Sequence, residues 1–161
     1  MYMKQSDLLK GLGKDFLKEV MEVAEKRTHP KGHLIFREGE RADHFYILLK
    51  GRVRITIGET SHKVYTVDHP GEVFGWSSLV GREGYSGSAE CREPSTLLRI
   101  GVEKLEALFE KDKKSEAIFF RQLARGLGAR LIQSYRMISE KADLSLSHGT
   151  GQVQESTVTV S

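Results

Sequence analysis

The residues best suited to chemistry lie in one short stretch. Gly75 precedes Trp76-Ser77-Ser78-Leu79, and Ser86 and Ser88 follow on the next extended run. A short helical turn after a glycine directs unpaired backbone N–H groups outward, and such groups attract anions. The hydroxyls of Ser86 and Ser88 could close round a phosphate or carboxylate held there. This chemistry is binding rather than bond-making.

No other grouping offers more. Histidines stand at 29, 33, 44, 62, 69 and 148, and none has a cysteine or carboxylate at a recognised metal spacing. Pro30 and Gly32 prevent a helical pairing of His29 with His33. No metal site is expected. Cys91 is the only cysteine; it reads as a small core residue on a strand, not as a nucleophile. A lone cysteine excludes an intramolecular disulfide and suits a reducing cytoplasm. Neither Gly11-Leu12-Gly13-Lys14 nor Gly126-Leu127-Gly128 completes a phosphate loop. No Ser/His/Asp set and no conspicuous carboxylate pair can be assembled, so no catalytic residue is assigned and no enzyme is expected.

These residues need a body to position them. A chain of 161 residues has room for one domain, or one domain with a helical extension. With 39% hydrophobic and 29% charged residues, a packed core is expected. The formal charge of +3 could draw nucleic acid or phosphate, but acids and bases interleave along the whole chain, as on a solvated surface. No run approaches the roughly 18 apolar residues of a membrane span. Lys, Asp and Gly occupy the N-terminus where a signal peptide would be apolar. A cytoplasmic protein with no membrane partner is expected.

Leu17, Val20, Met21 and Ala24 share one helical face, which predicts a helix from Asp15 that stops near Lys26, before the turn at Pro30 and Gly32. From Arg27 to Ile100 the pattern becomes short extended runs: His33–Phe36, His44–Leu49, Arg52–Ile57, Lys63–Val67, Ser86–Cys91 and Thr96–Ile100. Strict alternation in the third of these puts Val53, Ile55 and Ile57 on one face and Arg52, Arg54 and Thr56 on the other, with residues 58–61 closing a hairpin. Evenly spaced short strands predict a sandwich, barrel or jelly roll. Val102, Leu105, Leu108 and Phe109 predict a two-turn helix. A longer helix then runs from about Ser115 to Lys141, striped by Leu123, Leu127, Leu131, Tyr135 and Ile138. Packing on the β-roll or on a second copy of the helix explains the stripe equally well. Gly126 and Gly128 each cost on the order of 1 kcal/mol of helix propensity, tolerable where they let a partner helix come close. Residues 1–141 are expected to form the domain and 142–161 a flexible tail.

The order of these pieces carries a resemblance. Lys31-Gly32-His33-Leu34-Ile35-Phe36-Arg37-Glu38-Gly39-Glu40, followed by Ala42 to Val53, is similar to the opening of the cyclic nucleotide-binding domain of bacterial regulators of the Crp/Fnr type. Pro70-Gly71-Glu72-Val73-Phe74-Gly75 through Leu79 resembles the start of that family's phosphate-binding cassette. The likeness covers roughly residues 8 to 140. It implies a double-stranded β-helix, a jelly-roll-like barrel with flanking helices and a long C-terminal helix. It also implies a ligand-sensing regulatory role exerted through a homodimer of that helix.

Two positions depart from the family pattern. Trp76 stands where the family has an acid for the ribose hydroxyl, and Tyr85, in Tyr85-Ser86-Gly87-Ser88-Ala89, where it has the phosphate-neutralising arginine. Losing that arginine forfeits about 1.5–3 kcal/mol, roughly ten- to a hundredfold in affinity. Ordinary cAMP or cGMP binding is therefore not expected. Arg82 either substitutes for the lost arginine or is a solvated loop residue beside Glu83. Trp76 either stacks on a planar ligand or fills the nucleotide's space. The expected pocket comprises Gly75, Trp76, Ser77, Ser78, Leu79, Arg82, Tyr85, Ser86 and Ser88, with a small anionic or nucleotide-like ligand and no assigned cofactor. A scaffold with a plugged pocket is the rival expectation. A helix-turn-helix reader does not fit in the roughly twenty residues after the long helix, so direct DNA reading is expected only if the chain is part of a larger regulator.

Overall fold

The HFYILL run has too little alternation for a strand with one wet face, and its environment shows why. A computed structural model describes residues 7–58 and 62–149. In it, β3 (His44–Lys50) is buried from Phe45 to Leu49. Tyr46 and Leu48 face the core between two sheets. Phe45 turns the other way and meets Phe119 edge-on at 6.1 Å. A strand covered on both faces reads as a continuous apolar run.

The remaining strands are β1 (Glu25–His29), β2 (Leu34–Phe36), β4 (Val53–Ile57), β5 (His62–Val67), β6 (Val73–Phe74), β7 (Ser88–Cys91) and β8 (Ser95–Gly101). They form two four-stranded antiparallel sheets, ordered β1-β8-β3-β6 and β2-β7-β4-β5. This is the mainly β, jelly-roll-like architecture anticipated above. The helices are α1 (Lys14–Val23), α2 (Val102–Lys111) and α3 (Lys113–Gly149). Phe16 of α1 stacks on Phe109 of α2 at 5.6 Å, and Phe109 meets Phe119 of α3 at 5.1 Å. The expected stripe residues Leu105 and Phe109 are the buried ones in α2.

Four differences from the sequence reading have physical causes. The helix α1 ends at Val23, where the Ala24 amide bonds the Val20 carbonyl, and the polar run EKRTH becomes β1. It pairs along its length with β8, from Glu25 opposite Arg99 to His29 opposite Ser95, so backbone bonding rather than apolar alternation makes this edge strand. Second, the two-residue β6 forms opposite β3 from a segment with no strand pattern of its own. Third, a register shift between Ile55 and Thr56 ends the strict alternation, leaving Ile57 43% exposed instead of beside Val53. Fourth, α3 runs on past Lys141 to Gly149, so residues 142–149 are helix and not tail. Residues 1–6, 59–61 and 150–161, which carry the expected apolar-poor N-terminus, hairpin tip and remaining tail, lie outside the described residues.

Asp112 starts α3. Its carboxylate accepts the Ser115 amide at 3.0 Å and the Ser115 hydroxyl at 2.7 Å, a side-chain cap that also holds the Asp112 carboxyl below its usual range. Residues up to Leu123 make one compact unit and those from Ala124 another. Leu123 is buried, whereas Leu131, Tyr135 and Ile138 are exposed. No described helix is long and apolar enough to cross a membrane.

Gly51, between β3 and β4, has φ +107, and a Cβ there would lie 2.7 Å from the Ser95 Cα. Gly32 has φ +88, but its Cβ would meet nothing within 4 Å. Gly51→Ala is therefore expected to cost about 2–4 kcal/mol from strain and overpacking together, and Gly32→Ala about 1 kcal/mol. Denaturant unfolding of the two variants checks both values; equal losses would refute the packing argument.

Candidate functional site

The site begins where β6 delivers Phe74 into the core and the chain must turn at once. Gly75 has φ +73, and a Cβ on it would lie 3.0 Å from the Tyr46 ring and 3.3 Å from the Phe36 ring. Glycine is needed here both for the backbone angle and for this close approach. The 3-10 helix Trp76–Val80 follows, and Gly81 closes it in the left-handed region, its amide bonded to the Ser77 carbonyl.

The glycine turn and the short helix after it are present, and two of the turn's serine hydroxyls are engaged in internal hydrogen bonds. Ser78 donates its hydroxyl to the Gly75 carbonyl at 3.0 Å. Ser77 and Ser86 hydroxyls meet at 3.3 Å, which brings together the two segments expected to bound the pocket. Ser77, Ser78 and Leu79 are buried, and Trp76 is half-buried. The Ser88 hydroxyl accepts the Glu38 amide at 2.9 Å.

Tyr85 points inward. Its ring stacks on Phe36 at 3.8 Å, and its hydroxyl donates to the His44 carbonyl at 2.6 Å. Burial, with the Tyr46 phenol close by, pushes the Tyr85 phenol well above its ordinary value. Tyr46 is raised too, mainly by burial. Neither phenol ionises at neutral pH, so both serve as neutral ring and hydroxyl. Phe74 stacks on Tyr46 at 5.2 Å, completing an aromatic layer with Phe36 and Tyr85.

Backbone pairing ties the Tyr85 loop to the turn after β2. The Tyr85 amide bonds the Glu40 carbonyl, the Gly39 amide bonds the Tyr85 carbonyl, and the Ala42 amide bonds the Glu83 carbonyl, each at 2.9 Å. Between these two segments lies a groove of about 860 Å³, lined by Glu38, Arg41, Arg82, Glu83, Tyr85 and Ser86 together with Gly39 and Gly84. Arg82, Tyr85 and Ser86 were among the expected residues. Gly75 to Leu79 and Ser88 lie outside this lining. Glu38, expected only to open a turn, and Arg41 were not expected at the site, because nothing local reveals that residues 39–42 pair with 83–85. Arg41 is engaged by Asp43 at 2.9 Å, and Glu38 accepts the Gly58 amide at 2.9 Å. Arg82 has no ion pair among the described residues. A free guanidinium beside a hydroxyl can hold a small anionic group by charge-assisted hydrogen bonds.

A β-roll with a glycine-hinged 3-10 turn beside an open groove is an architecture that can be compared with known proteins. The model of the cyclic nucleotide-binding domain family matches residues 26–112, and the chain belongs to that family. It is similar to the cyclic AMP receptor protein of Thermus thermophilus, 30% identical over 146 residues, covering 89% of this chain and 62% of that one. It is 28% identical over 120 residues to the cGMP-dependent protein kinase egl-4 of Caenorhabditis elegans, covering 70% of this chain but only 15% of the kinase. The crystal structure of a putative cyclic nucleotide-binding protein from Geobacter metallireducens superposes with a TM-score of 0.69 at 29% identity, over 77% of this chain and 91% of that one.

Removing the Tyr85 hydroxyl leaves the His44 carbonyl short of a partner in a half-buried site. Tyr85→Phe is expected to lower stability by about 1–2 kcal/mol in chemical unfolding; an unchanged midpoint would show that the bond is idle. Burial, helped by Arg99, depresses the His44 imidazole below its ordinary 6.5. Below that pH the unfolded chain takes up the proton before the folded one does, so stability is full above the ordinary histidine range and declines as pH falls through it. Wild type is expected to lose more stability than His44→Gln between about pH 7.5 and pH 5.5. Parallel loss in the two proteins would assign the acid sensitivity elsewhere.

Proposed function

We propose that this domain is a regulatory sensor that binds a small anion other than unmodified cAMP or cGMP and signals through a homodimer of α3. The observation that carries this reading is the exchange of roles between Tyr85 and Arg82. Tyr85 is locked inward by the Phe36 ring and the His44 carbonyl. Arg82, three residues earlier, lines the open groove, as does Ser86. The ligand's charged end rests on Arg82 and Ser86, next to the backbone cradle of Gly75 to Leu79.

The exposed stripe of α3 supports the dimer. Leu131, Tyr135 and Ile138 are 52%, 61% and 64% exposed, and an added Cβ on Gly126 or Gly128 would meet nothing within 4 Å among the described residues. Ligand binding shifts this assembly only if its two arrangements differ in affinity for the ligand. The small share of the kinase relative that the chain spans supports a domain that is regulatory and not itself an enzyme. A cytoplasmic setting suits the lone, buried Cys91. No direct reading of DNA is proposed. A rival reading, a scaffold with no ligand, draws support from the filled aromatic interior.

Isothermal titration with cAMP, cGMP, pyrophosphate and citrate separates the two. The sensor reading expects heat with at least one of the non-nucleotide anions and a roughly ten- to hundredfold weakening in Arg82→Ala. No heat with any of them favours the scaffold, and tight cAMP or cGMP binding refutes the exchange of roles. Sedimentation of Ile138→Glu is expected to give a monomer where wild type is a dimer.

A further inference from the structure

The tight turn between β5 and β6 gathers three groups that the sensor site does not use. Asp68, His69 and Glu72 each offer a ligand atom, and the three atoms lie within 4.8 Å of one another. His69 Nδ1 is 2.7 Å from Asp68 Oδ1 and 2.9 Å from Glu72 Oε1, so both carboxylates converge on the same ring nitrogen. The backbone makes this convergence a fixed one. The Glu72 amide closes the turn on the His69 carbonyl at 3.1 Å, and Gly71, with φ +92, ties its own amide to the Leu48 carbonyl at 2.7 Å. Pro70 at the second position completes a turn of the Pro-Gly type. Glu72 is held from both sides, accepting the His69 amide at 3.0 Å and the Tyr65 hydroxyl at 2.5 Å. The Glu72 side chain is only 19% exposed, whereas that of His69 is 80% exposed and open to an incoming ion.

We propose that Asp68, His69 and Glu72 form a binding site for a divalent transition-metal ion of the zinc or cobalt kind. Two carboxylates facing one imidazole nitrogen place excess negative charge where a cation can sit. One nitrogen and two oxygens suit such an ion better than magnesium or calcium, which take oxygen ligands alone. Water completes the coordination. The Tyr65 hydroxyl acts as the outer partner that orients the Glu72 carboxylate. Three residues beyond Glu72 stands Gly75, so an ion here would brace the turn from which β6 and the cradle start.

The test uses untagged protein, titrated with zinc by calorimetry and with cobalt by visible absorption. Wild type is expected to bind one ion saturably, with cobalt bands characteristic of nitrogen and oxygen ligands. His69→Ala and Asp68→Asn are each expected to weaken zinc by at least about tenfold, while the metal-free variants keep the wild-type unfolding midpoint because both side chains are at the surface. Absence of saturable binding overturns the proposal. So does wild-type affinity in His69→Ala combined with loss in His33→Ala, which would place the ion on another histidine. Calcium binding without zinc binding overturns the assigned metal class.

Discussion

Everything around the candidate site rests on the aromatic layer that fills the space between the sheets. Phe36 comes from one sheet, Tyr46 and Phe74 from the other, and Tyr85 from the loop after the 3-10 helix. Each such ring removes about 150–250 Å² from water. Ring contacts of Phe36 with Tyr46 and Phe74 span the two sheets at 5.7 and 6.3 Å. The layer also dictates local chemistry. Gly75 is a glycine because its φ is positive and two of these rings occupy the space a Cβ would need. Tyr85 brings its hydroxyl to the His44 carbonyl because its ring must lie on Phe36.

This arrangement gives meaning to the departures from the family pattern. A tyrosine in place of an arginine exchanges a charge that belongs in water or on a ligand for a ring that belongs in the core. Tyr85 faces inward, and Arg82 is exposed along the groove. The serines of the 3-10 helix fit the same picture. Their hydroxyls bond to Gly75 and Ser86, making the cradle stiff rather than reactive.

The long helix follows a different logic. Its first turns are anchored by the Asp112 cap and by Phe119, which is fully buried among Phe45 and Phe109. Beyond Leu123 the apolar stripe continues through half-buried Leu127 to the exposed Leu131, Tyr135 and Ile138. Large exposed apolar side chains repeated at helical spacing are costly in water, and a matching surface relieves that cost. The proposed dimer rests on this imbalance.

Much of the fold was legible from residue order alone. The HFYILL run, the alternation at Val53 and Ile55, and the glycine turns mark strands and their ends because side-chain periodicity and positive-φ requirements are local properties. The hinge at Gly75 and the short helix after it were legible for the same reason. What lay outside local pattern was lost: β1 is polar and becomes a strand only by pairing with β8, and β6 is too short to show a period. The groove was half seen. Arg82, Tyr85 and Ser86 were anticipated, while Glu38 and Arg41 enter it through pairing between segments some forty residues apart. Sequence thus determined the strands, the hinge glycines and the odd residues at 76 and 85. Only the tertiary structure decided that Tyr85 faces in and Arg82 faces out, because that choice depends on which distant ring, Phe36, offers the better burial.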